Sequence, residues 1–319
     1  MIECPTKMSQ ELQEIQPSEM QNLDASDALP FPFNQRNFCR YEPISQRIEA
    51  ARVLIVDNLL RDENDLSPVG MAEWGDAAAM QLKRERLIAK MALENISNNI
   101  ARLVKDPTTE VAHLADVAQG AETFKPDAIV LSGTLQDFDF YKPEIIESFG
   151  RFIRATRIPV LAICGGHQIV GMSFGAHVKT LDKLEQHEQR ANRPLEYQYR
   201  FIRITDPQDP IFMGLKDSDT GALPSYPRQP RILRVWQNHG LQLDQVPSGF
   251  KLLATSYLCR NQMMVKRSAG QLIYTVQFHL EKSFEDWNKS RTRWEHQNES
   301  RDGRILFENF LDLALAHSG

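Results

Sequence analysis

Three short runs of apolar residues punctuate an otherwise mixed chain. They lie within Arg52–Leu60, Pro126–Leu131 and Ile158–Ile163, and each carries four consecutive aliphatic residues. None alternates with polar positions, which marks strands buried on both faces of a parallel sheet. A fourth segment, Glu110 to Val117, reads as a further strand. Between them the spacing changes. Leu87, Ile88, Met91, Ala92, Ile96, Ile100 and Leu103 predict a long helix over Leu82 to Val104, and Ile145, Ile146, Phe149, Phe152 and Ile153 predict one over 142–156. Strands alternating with helices imply a parallel sheet wrapped on both faces. After Val178 the pattern shortens. Phe201–Thr205, Arg231–Gln237, Lys251–Ser256, Met263–Val265 and Leu272–Phe278 predict a second, largely antiparallel set packed at one side, and Gly303–Ala316 a closing helix. The expected fold class is α/β, a mostly parallel central sheet flanked by helices with a smaller antiparallel set.

The polar stretches divide the rest. Residues 1–48 are rich in Gln, Glu and Ser and broken by Pro17, Pro30, Pro32 and Pro43, with one short amphipathic turn around Met8 to Ile15. They read as an N-terminal extension, leaving 49–319 as the domain. Segments 61–81 and 181–200 show no apolar period. Both are expected to be lid or partner surfaces rather than core.

The chemistry gathers at Ile158-Pro-Val-Leu-Ala-Ile-Cys164-Gly165-Gly166-His167-Gln168. A buried strand stops at a cysteine, glycines follow at once, and a packed helix begins. That is the architecture of a nucleophile elbow. The helix N-terminus beneath the thiol favours negative charge there, and the N–H of Gly165 is placed to serve an oxyanion. A cysteine nucleophile needs a base and a group to orient it. Tyr274-Thr-Val-Gln-Phe-His279-Leu-Glu281 offers both, because side chains two apart on an extended strand point the same way. Asn238-His239-Gly240 reads as a turn between strands. His239 competes for the role of base but lacks an acid nearby in sequence, and His167 is read as structural.

Ala-Ile-Cys164-Gly-Gly-His-Gln168 resembles the nucleophile motif of class I glutamine amidotransferases, and Gln277-Phe-His279-Leu-Glu281 resembles that family's Gln-Phe-His-Pro-Glu, with Leu280 in place of proline. The resemblance implies a Cys164–His279–Glu281 triad. Leu131-Ser-Gly133-Thr134 is similar to the family's Ser-Gly-Gly loop, which makes Gly133 the second oxyanion donor and puts Thr134 where a glycine is usual. Gln237-Asn238-His239-Gly240-Leu241 is similar to a family segment that grips the amino-acid end of glutamine. The carry-over assigns substrate binding to Asn238, Gly240 and Leu241, with Gln168 from the elbow. The activity implied is glutamine hydrolysis through a cysteine thioester, with ammonia passed to a separate synthase partner. Two alternatives stay open: a stand-alone γ-glutamyl hydrolase or peptidase, and a catalytically silent regulatory or binding subunit.

Composition narrows the remaining classes. A net charge of −5 over 319 residues argues against a nucleic-acid partner. No apolar segment is long enough to span a bilayer, and the N-terminus has no signal-peptide pattern. Cys4, Cys39, Cys164 and Cys259 are scattered without metal-ligand spacing, so no metal and no cofactor are expected, and a reducing cytoplasm is the expected setting.

Overall fold

The structure, a computed structural model, describes residues 45–215, 232–268, 270–282 and 301–318. The expected N-terminal extension, with Cys4 and Cys39, falls almost wholly outside them. The elements are β1 (Ile48–Asp57), α1 (Pro68–Trp74), α2 (Ala78–Leu103), β2 (Val104–His113), α3 (Val117–Phe124), β3 (Ala128–Leu131), α4 (Pro143–Ala155), β4 (Val160–Ile163), α5 (Gly165–Ser173), β5 (Val178–Thr180), β6 (Glu196–Ile204), β7 (Ile232–His239), β8 (Leu241–Leu243), β9 (Lys251–Thr255), β10 (Met263–Ser268), β11 (Gln271–Val276) and α6 (Arg301–Ser318).

Nine strands form one sheet in the order β2-β1-β3-β4-β11-β10-β9-β6-β7. The first five are mutually parallel, and from β11 onward each neighbour is antiparallel. The antiparallel strands therefore extend the main sheet rather than packing at its side. Among the described residues only β5 and β8 pair apart from it, as a two-stranded sheet. The aliphatic runs behave as strands buried on both faces should. Val53, Ile55, Val130, Leu161 and Ile163 face one core, with Ile96, Ile100 and Leu103 of α2 and Phe307 and Phe310 of α6. Their neighbours Leu54, Val56, Leu131, Val160 and Ala162 face a second core, under α3, α4 and α5. A period of two thus sorts each strand onto two helical layers.

Three expectations need correction. The second strand starts at Val104, directly after α2, and not at Glu110. As the edge strand it exposes Lys105, Asp106 and most of its length, so it carries no apolar run to read. Helix α3 was not expected. Segment 61–81 is also not a patternless surface loop. Ser67 caps α1 by accepting from the Gly70 N–H at 3.1 Å, and Leu66 is buried in the second core beside Tyr141. A Cβ on Gly70 would come within 3.0 Å of the Phe140 ring, so this segment is packed against the body of the protein.

The parallel register gathers the site. Val56 pairs with Leu131, Leu131 with Ala162, and Ile163 with Val276. The four strands end together, so Asn58, Ser132–Gly133, Cys164 and Gln277–His279 emerge at one edge. Carboxyl ends of parallel strands are where α/β sheets hold ligands. No helix among the described residues is long and apolar enough to cross a membrane.

Candidate active site

Cys164 stands alone between β4 and α5 with φ 51° and ψ −106°. A side chain at positive φ costs about 1–3 kcal/mol and persists only where its surroundings hold it. Here the Cys164 N–H donates to Val276 O at 2.7 Å, and its own carbonyl accepts from Gln168 N at 3.1 Å. The following glycine is required by contact. A Cβ on Gly165 would lie 2.2 Å from Thr134 Oγ1 and 2.5 Å from Thr134 N. The loop after β3 therefore seats directly on the elbow, with Gly133 flanking Cys164 from the other side. A Cβ there would sit 3.5 Å from both Cys164 Cβ and His279 Cε1.

His279 arrives from the end of β11, its N–H held by Trp236 O at 2.8 Å. Its Nδ1 lies 2.7 Å from Glu281 Oε1. Nε2 has no hydrogen-bond partner among the described residues, and Cys164 is near enough for its charge to act on the ring. Burial alone would lower the His279 pKa. The charge of Glu281, then that of Cys164, outweighs burial and raises it. Burial would likewise raise Glu281, but the imidazole beside it prevails and holds the carboxylate below its ordinary value. Asn99 of α2 donates to the Glu281 carbonyl at 2.6 Å and fixes this strand end.

A cleft of about 780 Å³ opens over these groups. All the remaining sequence-named positions except Gly165 border it: Gly133 on the β3 loop, Gln168 on α5, Asn238 at the end of β7, Gly240 between β7 and β8, and Leu241 at the start of β8. Gly165 lies beneath it, buried at the start of α5. Gln168 Nε2 donates to Leu241 O at 3.1 Å, so elbow and turn are tied together. Segment 61–81, expected as a lid or partner surface, gives no residue to the cleft lining. One wall is Ile88, Met91, Ala92 and Ile96 of α2.

Segment 181–200 does border it, and is anchored. Arg190 and Arg193 both donate to Asp137, at 2.7 and 2.8 Å, and Arg190 also grips Asp139 at 2.6 Å. Arg193 and Leu195 then press on the turn so closely that a Cβ on Gly240 would meet them at 2.7 and 2.8 Å.

The sequence shows no acid near His239, but the fold supplies one. Glu196 of β6 is registered opposite His239, with Oε2 3.0 Å from Nε2, off the axis of a directed hydrogen bond. His239 Nδ1 faces Leu241 O at 2.9 Å. Cys259 completes a buried cluster whose ligand atoms lie within 4.8 Å of one another. The donor set does not resemble a metal cage. Glu196 accepts from Gln262 at 2.6 Å and from Ser256 at 2.9 Å, the Cys259 thiol points at Asn261 O, and burial, with Glu196 beside it, pushes that thiol's pKa up.

The chain matches the family described as glutamine amidotransferase class-I over residues 92–296. The chain belongs to the class I glutamine amidotransferase family. Relatives include a glutamine-hydrolyzing GMP synthase subunit of Thermococcus kodakarensis, 34% identical over 50% of this chain and 69% of that one. The protein of the same name from Pyrococcus furiosus is 32% identical over 50% and 69%. The crystal structure of a putative GMP synthase subunit from Thermoplasma acidophilum shares the fold, with TM-score 0.50 and 21% identity over 84% of this chain and 95% of that one. The amidotransferase match begins at residue 92, so α1 and the first half of α2, with Ile88 and Met91 of the cleft wall, precede it.

Proposed function

We propose that this amidotransferase hydrolyses the side-chain amide of glutamine at Cys164 and supplies the ammonia to a synthase on another chain. The observation that carries the reading is a strained elbow cysteine and a carboxylate-bound imidazole placed on either side of Gly133 in one cleft. The Cys164 sulfur attacks the amide carbon, and the carbonyl oxygen gains negative charge beside the N–H groups of Gly165 and Gly133. His279 gives its proton to the departing nitrogen, ammonia leaves, and a thioester remains. His279 then takes a proton from water, hydroxide adds to the thioester, and the C–S bond breaks to release glutamate. Glu281 holds the ring throughout. Gln168, Asn238, Gly240 and Leu241 hold the amino-acid end.

The relatives are named as glutamine-hydrolysing subunits of GMP synthase. Those names favour glutamine over γ-glutamyl peptides, and a partner of the GMP synthase kind. The assembled His279–Glu281 pair speaks against a silent subunit. To test the reading, the full chain is treated with a glutamine-mimicking electrophile and weighed, and ammonia release from glutamine is followed in parallel. One adduct and measurable ammonia are expected, both abolished in Cys164→Ala. Labelling that persists at Cys259, or ammonia release surviving the substitution, would overturn it.

A further inference from the structure

We infer that Gln277 takes part in the reaction, its side-chain amide donating a hydrogen bond to the Cys164 sulfur whenever that sulfur carries negative charge. The inference rests on the reading of Cys164 as nucleophile and adds a donor to it.

Its geometry is fixed by a chain of forced orientations. The Leu241 carbonyl can only accept, and it lies 3.1 Å from a terminal atom of Gln168, so that atom is the amide nitrogen. The same nitrogen lies 3.1 Å from the Gln277 side chain, so the Gln277 atom facing it is the oxygen. The NH2 of Gln277 is then left facing Cys164 Sγ, 3.8 Å away. Turning Gln277 over would set two NH2 groups against each other and an amide oxygen against sulfur. The side chain is wholly buried, and its backbone N–H is pinned to Gln262 O at 2.8 Å. Water has no place to compete for the donor.

A thiol accepts hydrogen bonds weakly and a thiolate strongly, so a fixed N–H at this point favours the charged form. Sulfur carries that charge twice in the cycle. It does so before it attacks the amide carbon, and again when the C–S electron pair returns to it as the thioester is hydrolysed. His279 changes its own charge during those steps. Gln277 does not titrate, so its support is present at both.

The test is alkylation of the full chain by iodoacetamide across pH, with the adduct at Cys164 read by mass. Gln277→Met keeps the bulk and removes the donor. It is expected to raise the pH midpoint of alkylation by about one unit, which means about tenfold slower labelling at any pH below the midpoint. Gln277→Glu, setting a carboxylate against sulfur, is expected to raise it further. A retained cooperative melt shows that each variant is folded. In the unsubstituted chain, one glutamine side-chain amide observed by nitrogen-15 NMR should titrate together with alkylation and stop doing so in Cys164→Ser. An unchanged profile in folded Gln277→Met, or no glutamine amide tracking Cys164, would overturn the inference and leave the proposed function standing. Absence of selective Cys164 alkylation would overturn both.

Discussion

Among the described residues, two buried histidine–glutamate pairs share a chemistry and differ in use. His279 and Glu281 sit two residues apart on one strand end. Glu196 and His239 face each other across neighbouring strands. In the first pair only Nδ1 is engaged with protein oxygen, and Nε2 has no hydrogen-bond partner among the described residues, with Cys164 near the ring. In the second, both nitrogens face oxygens: Nε2 toward Glu196 and Nδ1 toward Leu241 O. A carboxylate beside an imidazole does not by itself make a base. What matters is where the second nitrogen points. In the proposed reaction His279 moves a proton, and His239 braces the turn that borders the cleft.

The sharpest way to break this contrast is to substitute one member of each pair. His279→Ala should lower kcat for ammonia release by about a hundredfold or more, the usual worth of general acid–base help, with a small change in KM. Glu196→Gln should act through the turn, raising KM for glutamine about tenfold while kcat stays within several-fold, since about 1.4 kcal/mol of lost positioning corresponds to that factor. Equal losses of kcat in the two variants would show that Glu196 also serves the proton transfer.

A third histidine sharpens the comparison, because no acid among the described residues pairs with it. His167 is fully buried, with Nδ1 2.7 Å from Thr275 Oγ1. Burial, then the charge of His239, lowers its pKa to about 3. The unfolded chain takes up this proton near 6.5 while the folded one stays neutral, so stability falls as pH drops from about 6.5 toward 3, by about 1.4 kcal/mol per unit. His279 has the opposite sign. Its raised pKa contributes stability that is complete below about 6.5 and is lost as pH rises through the folded value. Melting temperature against pH should therefore lose part of its acid slope in His167→Gln and part of its alkaline slope in Glu281→Gln. Unchanged slopes would remove the distinction.

The same contrast explains what could be read in advance. The gathering of Cys164, His279 and Glu281 was legible because its signals are local: a strand ending in Cys-Gly-Gly, and a His and a Glu on the same side of one strand. The parallel strands were legible because burial on both faces leaves an unbroken aliphatic run. Glu196 was not, since only the β6–β7 register brings it to His239, and the polar segment around it carries no period. Gln277 was visible as one polar residue in an apolar stretch, but its role depends on the Gln168 and Leu241 orientations that only the assembled edge creates. Arg190, Arg193 and the α2 wall were missed for a related reason. Charged surface and half-exposed apolar residues look alike in sequence whether or not a cleft lies beneath them.

The backbone at Cys164 carries one more consequence. Glycine reaches a φ of 51° with ψ at −106° far more easily than any residue with a Cβ. Cys164→Gly is therefore expected to raise stability by about 1 kcal/mol, measured as a higher melting temperature, while abolishing turnover. The inert chain would outlast the active one in heat.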